Sequence, residues 1–380
     1  MVPRRLRRWG ARTRSRRSEL FQLREFHAQF SDRAKVEGEA RLTYLSDLDA
    51  VVEASLPLAT IAEAFDGSNP PPEVLVLGDS SDLFVSRFDL SRRPLLRMTV
   101  QRLAPRRTCV LAHFGWHFGV LKALLQAVAS MPTQPCVVVL PMNLRQFSPQ
   151  WAENPNFQFR ELMAAASAFA ADPTAGVPLV PPFPRGDLTR GGAADPREWE
   201  RFRAVRVACK WRSEDTIGEY LDMIATSPAD AAARHERLRD VFAFHWLPGD
   251  NVERLAWLAE AVQVADGFGA RIVGHMSPIN YEAGRRFVGP SFDDLIAGRV
   301  DAARRVCEDS VGDSGHLTVD DLTHLLPSDR FFYPADPTEH YDEIGRARVA
   351  NRIAASVRRA IEPARGARRI ESATPEGPRC

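Results

Sequence analysis

The sequence predicts an α/β protein: a three-layer α/β/α sandwich around a central parallel sheet, with a helical N-terminal extension and a long helical insertion. Four short apolar runs bounded by turn residues have the length and continuous hydrophobicity of strands buried on both faces. Amphipathic stretches alternate with them, and strands alternating with helices imply parallel pairing through crossover connections. At 380 residues the chain is long enough to bury one large core or two modest ones.

In chain order, residues 1–17 form a basic tail with eight arginines. Residues 18–70 read as the helical extension, because LTYLSDLDAVVEASLPLATIAEAF sets apolar residues three and four apart. SNPPPE (68–73) breaks any helix and leads into the first strand, EVLVLGD (73–79). The second strand is RRTCVLAHFG (106–115), followed by the helix VLKALLQAV (120–128). PCVVVLPMN (135–143) is the third strand, and ARIVGHMSPIN (270–280) the fourth, preceded by the helical ERLAWLAEAVQVADGFG. DRFFYPAD (329–336) is expected as a short fifth strand, and EIGRARVANRIAASVRRAI (343–361) as a closing amphipathic helix. The α/β domain thus spans 71–362, interrupted at 144–255 by an insertion with a Pro/Gly-rich loop and charged helices. Insertions of this length cover a site or form a subdomain. Residues 363–380, rich in Arg, Gly and Pro, are expected to be disordered.

A formal net charge of +1 excludes a general nucleic-acid binder, since no global positive field gathers phosphates. Only Lys35, Lys122 and Lys210 are lysines among 50 basic residues, a bias of the kind a GC-rich genome imposes, so arginine abundance alone argues for no binding role. The five cysteines are odd in number and form no CxxC, which points to neither a disulfide framework nor a thiolate metal site. No run of 18 apolar residues exists, so no membrane span is expected. The N-terminal arginines lack the apolar stretch that an export signal needs, and a cytoplasmic location is the expectation. The Arg/Glu-rich helices of 198–240 read as solvated faces or as the contact of a homo-oligomer.

The strongest chemical signal is VLVLGDSSDLF (74–84). A serine behind Gly-Asp at a strand end occupies a tight turn at the carboxyl edge of the sheet, where open α/β sheets bind ligands. A helix beginning there would also aim the Ser80 N–H at a substrate oxygen. Gly-Asp-Ser recurs at 312–314, without a preceding apolar run, and reads as a loop.

Three further blocks follow in order: HFGWHFG (113–119) after the second strand, Asn143 after VVVLPM, and DPTEHYDEIGR (336–346) before the last helix. With these blocks the chain resembles the SGNH (GDSL-like) hydrolase superfamily, over about half its length, and the resemblance implies a flavodoxin-like fold. VVVLPMNLRQFSPQW, HMSPINYEAGRRFVG and EHYDEIGR are similar to SGNH-like proteins of polysaccharide and cell-wall acyl transfer. The resemblance implies Ser80 as nucleophile, His340 as its base, and Gly119 (favoured over Gly115 because it opens a helix) and Asn143 as oxyanion donors. A base is required because a serine hydroxyl attacks poorly until its proton is accepted.

The family's acid stands three residues before the histidine, where this chain has Pro337. Asp336 is the candidate, and Glu339 a poorer one, because adjacent side chains diverge. The Asn block lacks the usual flanking Gly and Asp, and the Gly block has no upstream asparagine. Asp79, His113, Gly115, Trp116, Arg145, His275 and Asn280 lie near strand ends where substrate would sit; Trp151 and Tyr281 are further neighbours, and for each the ordinary alternative is a packing role. His113 and His117 are four apart but form no HExxH, so they read as packing or substrate contacts rather than metal ligands. The implied reaction is esterase or deacylase action on an acylated small molecule or saccharide through an acyl-serine, without metal or organic cofactor. Transfer to an alcohol or amine acceptor, and a non-catalytic binding protein of the same fold, stand as alternatives.

Overall fold

The computed structural model describes residues 57–83, 85, 91, 93–113, 115–148, 151, 158–177, 242, 245, 246, 252–331 and 339–362. Within them the elements run α1 (Pro57–Phe65), β1 (Val74–Gly78), α2 (Ser80–Leu83), α3 (Leu95–Leu103), β2 (Thr108–Ala112), α4 (Phe118–Ala129), β3 (Val137–Met142), α5 (Arg160–Ala171), α6 (Val252–Gly267), β4 (Arg271–Met276), α7 (Tyr281–Phe287), α8 (Ser291–Val311), β5 (Leu317–Asp321) and α9 (Glu343–Ile361). All five strands are parallel, in the order β2-β1-β3-β4-β5. This is a doubly wound order whose direction reverses between β1 and β3, and open α/β sheets bind ligands beyond the carboxyl ends of the strands at such a reversal.

The layers follow from the two-residue period of a strand. Leu75, Leu77, Leu111, Val138, Leu140 and Ile272 pack on one face with α1, α4, α5, α6, α7 and α8. Val74, Val76, Val110, Val137, Val139 and Val273, their neighbours in sequence, pack on the other with α3 and α9. Every residue of β1 and β3 is buried, as strands covered on both faces must be. Among the described residues, no helix is long and apolar enough to cross a membrane.

The fifth strand corrects the sequence expectation. Phe331 makes only an isolated antiparallel bridge to Tyr341, and 332–336 lie outside the described residues. The edge position belongs to β5, LTVDD, which is partly exposed and ends in two aspartates. An edge strand has one solvated side and needs no apolar run, so hydrophobic continuity does not mark it. The second Gly-Asp-Ser is an exposed 3-10 turn, Gly312–Ser314, ahead of β5 and therefore at the opposite edge of the sheet from Ser80. Most of the expected insertion, the extension before residue 57, both tails and Asp336 lie outside the described residues.

Candidate active site

The turn after β1 is built by Asp79. Its Oδ1 accepts from the Ser81 N–H at 2.8 Å and the Ser81 hydroxyl at 2.7 Å, and its own N–H donates to Asp82 Oδ2 at 3.0 Å. Gly78 leaves little room for a side chain: a Cβ would lie 3.0 Å from that of Ala112 and 3.1 Å from Asp82 Oδ2. Ser80 therefore opens the single turn of α2, partly exposed at the carboxyl edge, and its hydroxyl makes no hydrogen bond with any described residue.

Asn143 ends β3 and caps the 3-10 turn Leu144–Phe147, its Oδ1 accepting from the Arg145 N–H at 3.0 Å. Held in that orientation, its Nδ2 donates to Asp79 Oδ2 at 3.1 Å and to Glu339 Oε2 at 3.2 Å. The same Glu339 oxygen pairs with Arg145 Nε at 3.1 Å, both side chains being buried. The Arg145 guanidinium lies over Trp151, and its Nη1 is 3.5 Å from His245 Nδ1. Burial, then the charge of Arg145, holds His245 well below its ordinary titration range, so the ring is neutral.

Asn143 thus joins the residue before Ser80 to the residue before His340. On the other side of His340, the Tyr341 hydroxyl lies 3.5 Å from the Pro278 carbonyl, beyond the end of β4. Anchors on both neighbours fix His340, itself buried, at the carboxyl edge.

Glu339 meets the Arg145 guanidinium, while Asp79 and Asp82 stand close by without contacting it. Burial raises Glu339 from its ordinary 4.5 to about 7, against the opposing pull of Arg145 and with Asp79 adding to the rise. Burial and the charge of Asp79 push Asp82 well above the carboxylate range. Burial, then the charges of Glu339, Asp82 and Asp79, keep the Tyr341 phenol protonated far above neutrality. Burial and a neighbouring anion therefore make Glu339 and Asp82 bind their protons more tightly than exposed carboxyl groups do, because a low-dielectric interior does not stabilise adjacent anions.

The expected oxyanion donors are otherwise engaged. The Gly119 N–H donates to His117 Nδ1 at 3.1 Å, and a Cβ at Gly119 would lie 2.8 Å from Trp257 Cε3. His117 stacks on Trp257 at 5.1 Å, so this glycine serves helix capping and packing. Gly115 holds φ +80° in the turn after β2, a conformation that favours glycine, and is the backbone position of this block that a tight turn requires. Both Asn143 N–H groups lie on carboxyl oxygens.

Among the expected substrate contacts, Asp79 is fully buried with both oxygens bonded inside the protein, and Trp116 is wholly enclosed in the core. Asn280 is also buried, and caps α7 by accepting from the Ala283 N–H. These three expectations give way to structural roles. His275 is buried on β4 opposite Asp320, and burial lowers it to about 4 against the pull of that aspartate, which keeps it neutral. His113, 9% exposed beside Trp116, is the histidine of this block nearest to solvent. Arg145 faces Glu339 rather than open space. Sequence reasoning passed over Asp82 and Tyr341; Asp82 had a visible signal, since an aspartate three residues after another reaches back to the turn it closes.

No protein-family model and no curated protein matches this chain.

Proposed function

We propose that the chain is a serine-dependent acyl-transfer enzyme of the SGNH type, acting as an esterase or deacylase on an acylated small molecule or saccharide. One observation carries the reading: the Asn143 amide ties Asp79 to Glu339, drawing the Ser80 turn and the His340 segment together beyond the carboxyl ends of β1 and β3. In the reaction Ser80 Oγ attacks the acyl carbonyl, His340 accepts its proton, and the alcohol leaves with that proton. Water, or an acceptor hydroxyl or amine in the transferase alternative, then resolves the acyl-serine. The N–H groups of Ser80 and Gly115 are the remaining oxyanion donors. The Ser80–His340 hydrogen bond forms on substrate binding, as catalytic contacts in unliganded enzymes often do.

A binding protein that has lost the chemistry is favoured by the engagement of Gly119 and Asn143 within the protein. A fluorophosphonate probe separates the two. The acyl-transfer reading expects labelling that Ser80→Ala abolishes and His340→Ala slows at least about a hundredfold. Folded protein that takes no label speaks for the binding protein, and labelling that survives Ser80→Ala removes Ser80 as nucleophile. Product analysis with and without alcohol acceptors then separates hydrolysis from transfer.

A further inference from the structure

Helices α3 and α9 cover one face of the sheet, packed on it through Leu95, Leu96, Met98, Leu103, Val349, Ile353 and Val357. Their outer sides carry arginine almost without acid. Arg93, Arg97 and Arg102 at α3 and Arg348, Arg352 and Arg358 on α9 are all at least partly exposed, against Glu343 at the start of α9. Arg93 bonds to Ser91 and Gln101, Arg102 to Asn351 and the Met98 carbonyl, and Arg358 to the Arg102 carbonyl, all neutral acceptors. Among the described residues, Arg97 Nη1 has no hydrogen-bond partner and the exposed Arg348 and Arg352 have no ion-pair partner. Arg102 lies close enough to Arg93 and Arg358 for their like charges to lower its affinity for a proton, after the effect of burial.

Other arginines on the surface do find carboxylates: Arg106 with Glu73, Arg285 with Asp293, Arg330 with Asp342 and, more loosely, Arg359 with Asp320. The acids bordering the face are Glu343, which accepts from the Ser91 N–H, Asp320, which accepts from the Ser356 hydroxyl, and Glu362 at the far end of α9. On the opposite face of the sheet the helices α6, α7 and α8 together carry nine acidic and six basic residues. The two helical layers thus differ in the balance of their charges, an asymmetry that orients a protein at a charged surface.

We propose that the α3–α9 face docks on an anionic phospholipid surface. The face is a pair of helices laid flat on a sheet, about 28 Å long by the rise of α9, and neither helix projects to enter a nucleic-acid groove. Neither helix contains an aromatic residue on which a base would stack. Ile344, 44% exposed, stands on the same outer stripe of α9 as Arg348 and Arg352. An aliphatic side chain among arginines suits the boundary between headgroups and acyl chains. The inference does not depend on the chemistry of Ser80.

Sedimentation of the full chain with vesicles tests it. Phosphatidylcholine vesicles with added phosphatidylserine should retain the protein, vesicles of phosphatidylcholine alone should not, and retention should fall as salt rises from about 50 to 300 mM. Arg348→Glu/Arg352→Glu, two exposed positions with no ion-pair partner among the described residues, should weaken retention at least about tenfold with circular dichroism unchanged. Replacing the eight arginines of residues 1–17 by glutamine should leave most of it. Absence of wild-type retention overturns the proposal. So does retention that follows the tail variant rather than the α9 variant, displacement from vesicles by equal phosphate in duplex DNA, or self-association lost in the α9 variant without vesicles.

Discussion

Glu339 illustrates how a residue acquires its role from its surroundings. Next to a histidine, its side chain diverges from the imidazole, and that geometry sets it aside as the partner of His340. The same divergence lets it reach Asn143 and Arg145, just beyond β3, instead. Its carboxyl, at about 7 instead of 4.5, binds its proton more tightly in the folded protein than in the unfolded chain. The stabilisation this provides is full below pH 4.5 and is lost as pH rises through about 7. Glu339→Gln should flatten the decline of thermal stability across that window, measured as Tm against pH. An unchanged profile would place the titration elsewhere, with Asp82, shifted in the same direction, as the next group to test. The positions of Ser80, Asn143 and His340 were readable from ordered motifs, but the hydrogen-bonding of Asn143 was not, because its carboxyl partners stand 64 and 196 residues away.

At the scale of elements, the apolar runs marked β1 to β4 to within a few residues, and the closing helix α9 matches its expected span. The helices α3, α7 and α8 and the strand β5 carried no sequence assignment, and β5 was sought at 329–336 instead. Its two aspartates and exposed side remove the pattern by which a buried strand is read. A shift of one or two residues at a helix start also changed the reading of the glycine block. With α4 beginning at Phe118 and capped by His117, Gly119 falls inside the first turn beneath Trp257, and Gly115 takes the bend. Gly119→Ala should accordingly lower stability by about 1–3 kcal/mol through overpacking against the indole. Gly298→Ala, exposed in mid α8 with nothing within 4 Å of its Cβ, should raise it by about 0.5–1 kcal/mol. Chemical denaturation measures both, and equal effects of one sign would contradict the packing described.

The whole molecule has two apolar layers that share one sheet. Leu124 on α4 and Ile353 on α9 lie on opposite sides of it, and both are buried. Truncating either to alanine should cost about 2–5 kcal/mol. Because every strand of β1–β3 serves both layers, each variant should shift one common unfolding transition seen by fluorescence and circular dichroism. Separate transitions for the two sides would mean that the layers fold independently. By itself the sequence determined the α/β class, four of the five strands and the turn after the first of them that Ser80 occupies, since hydrophobic run length and periodicity are local properties of a chain. The tertiary structure alone decided the edge strand, the joining of Asp79, Asn143, Arg145 and Glu339 in one buried cluster, and the gathering of exposed arginines on the α3–α9 face. Those depend on which distant segments meet, and on the loss of solvent that shifts protons and pairs charges once they have met.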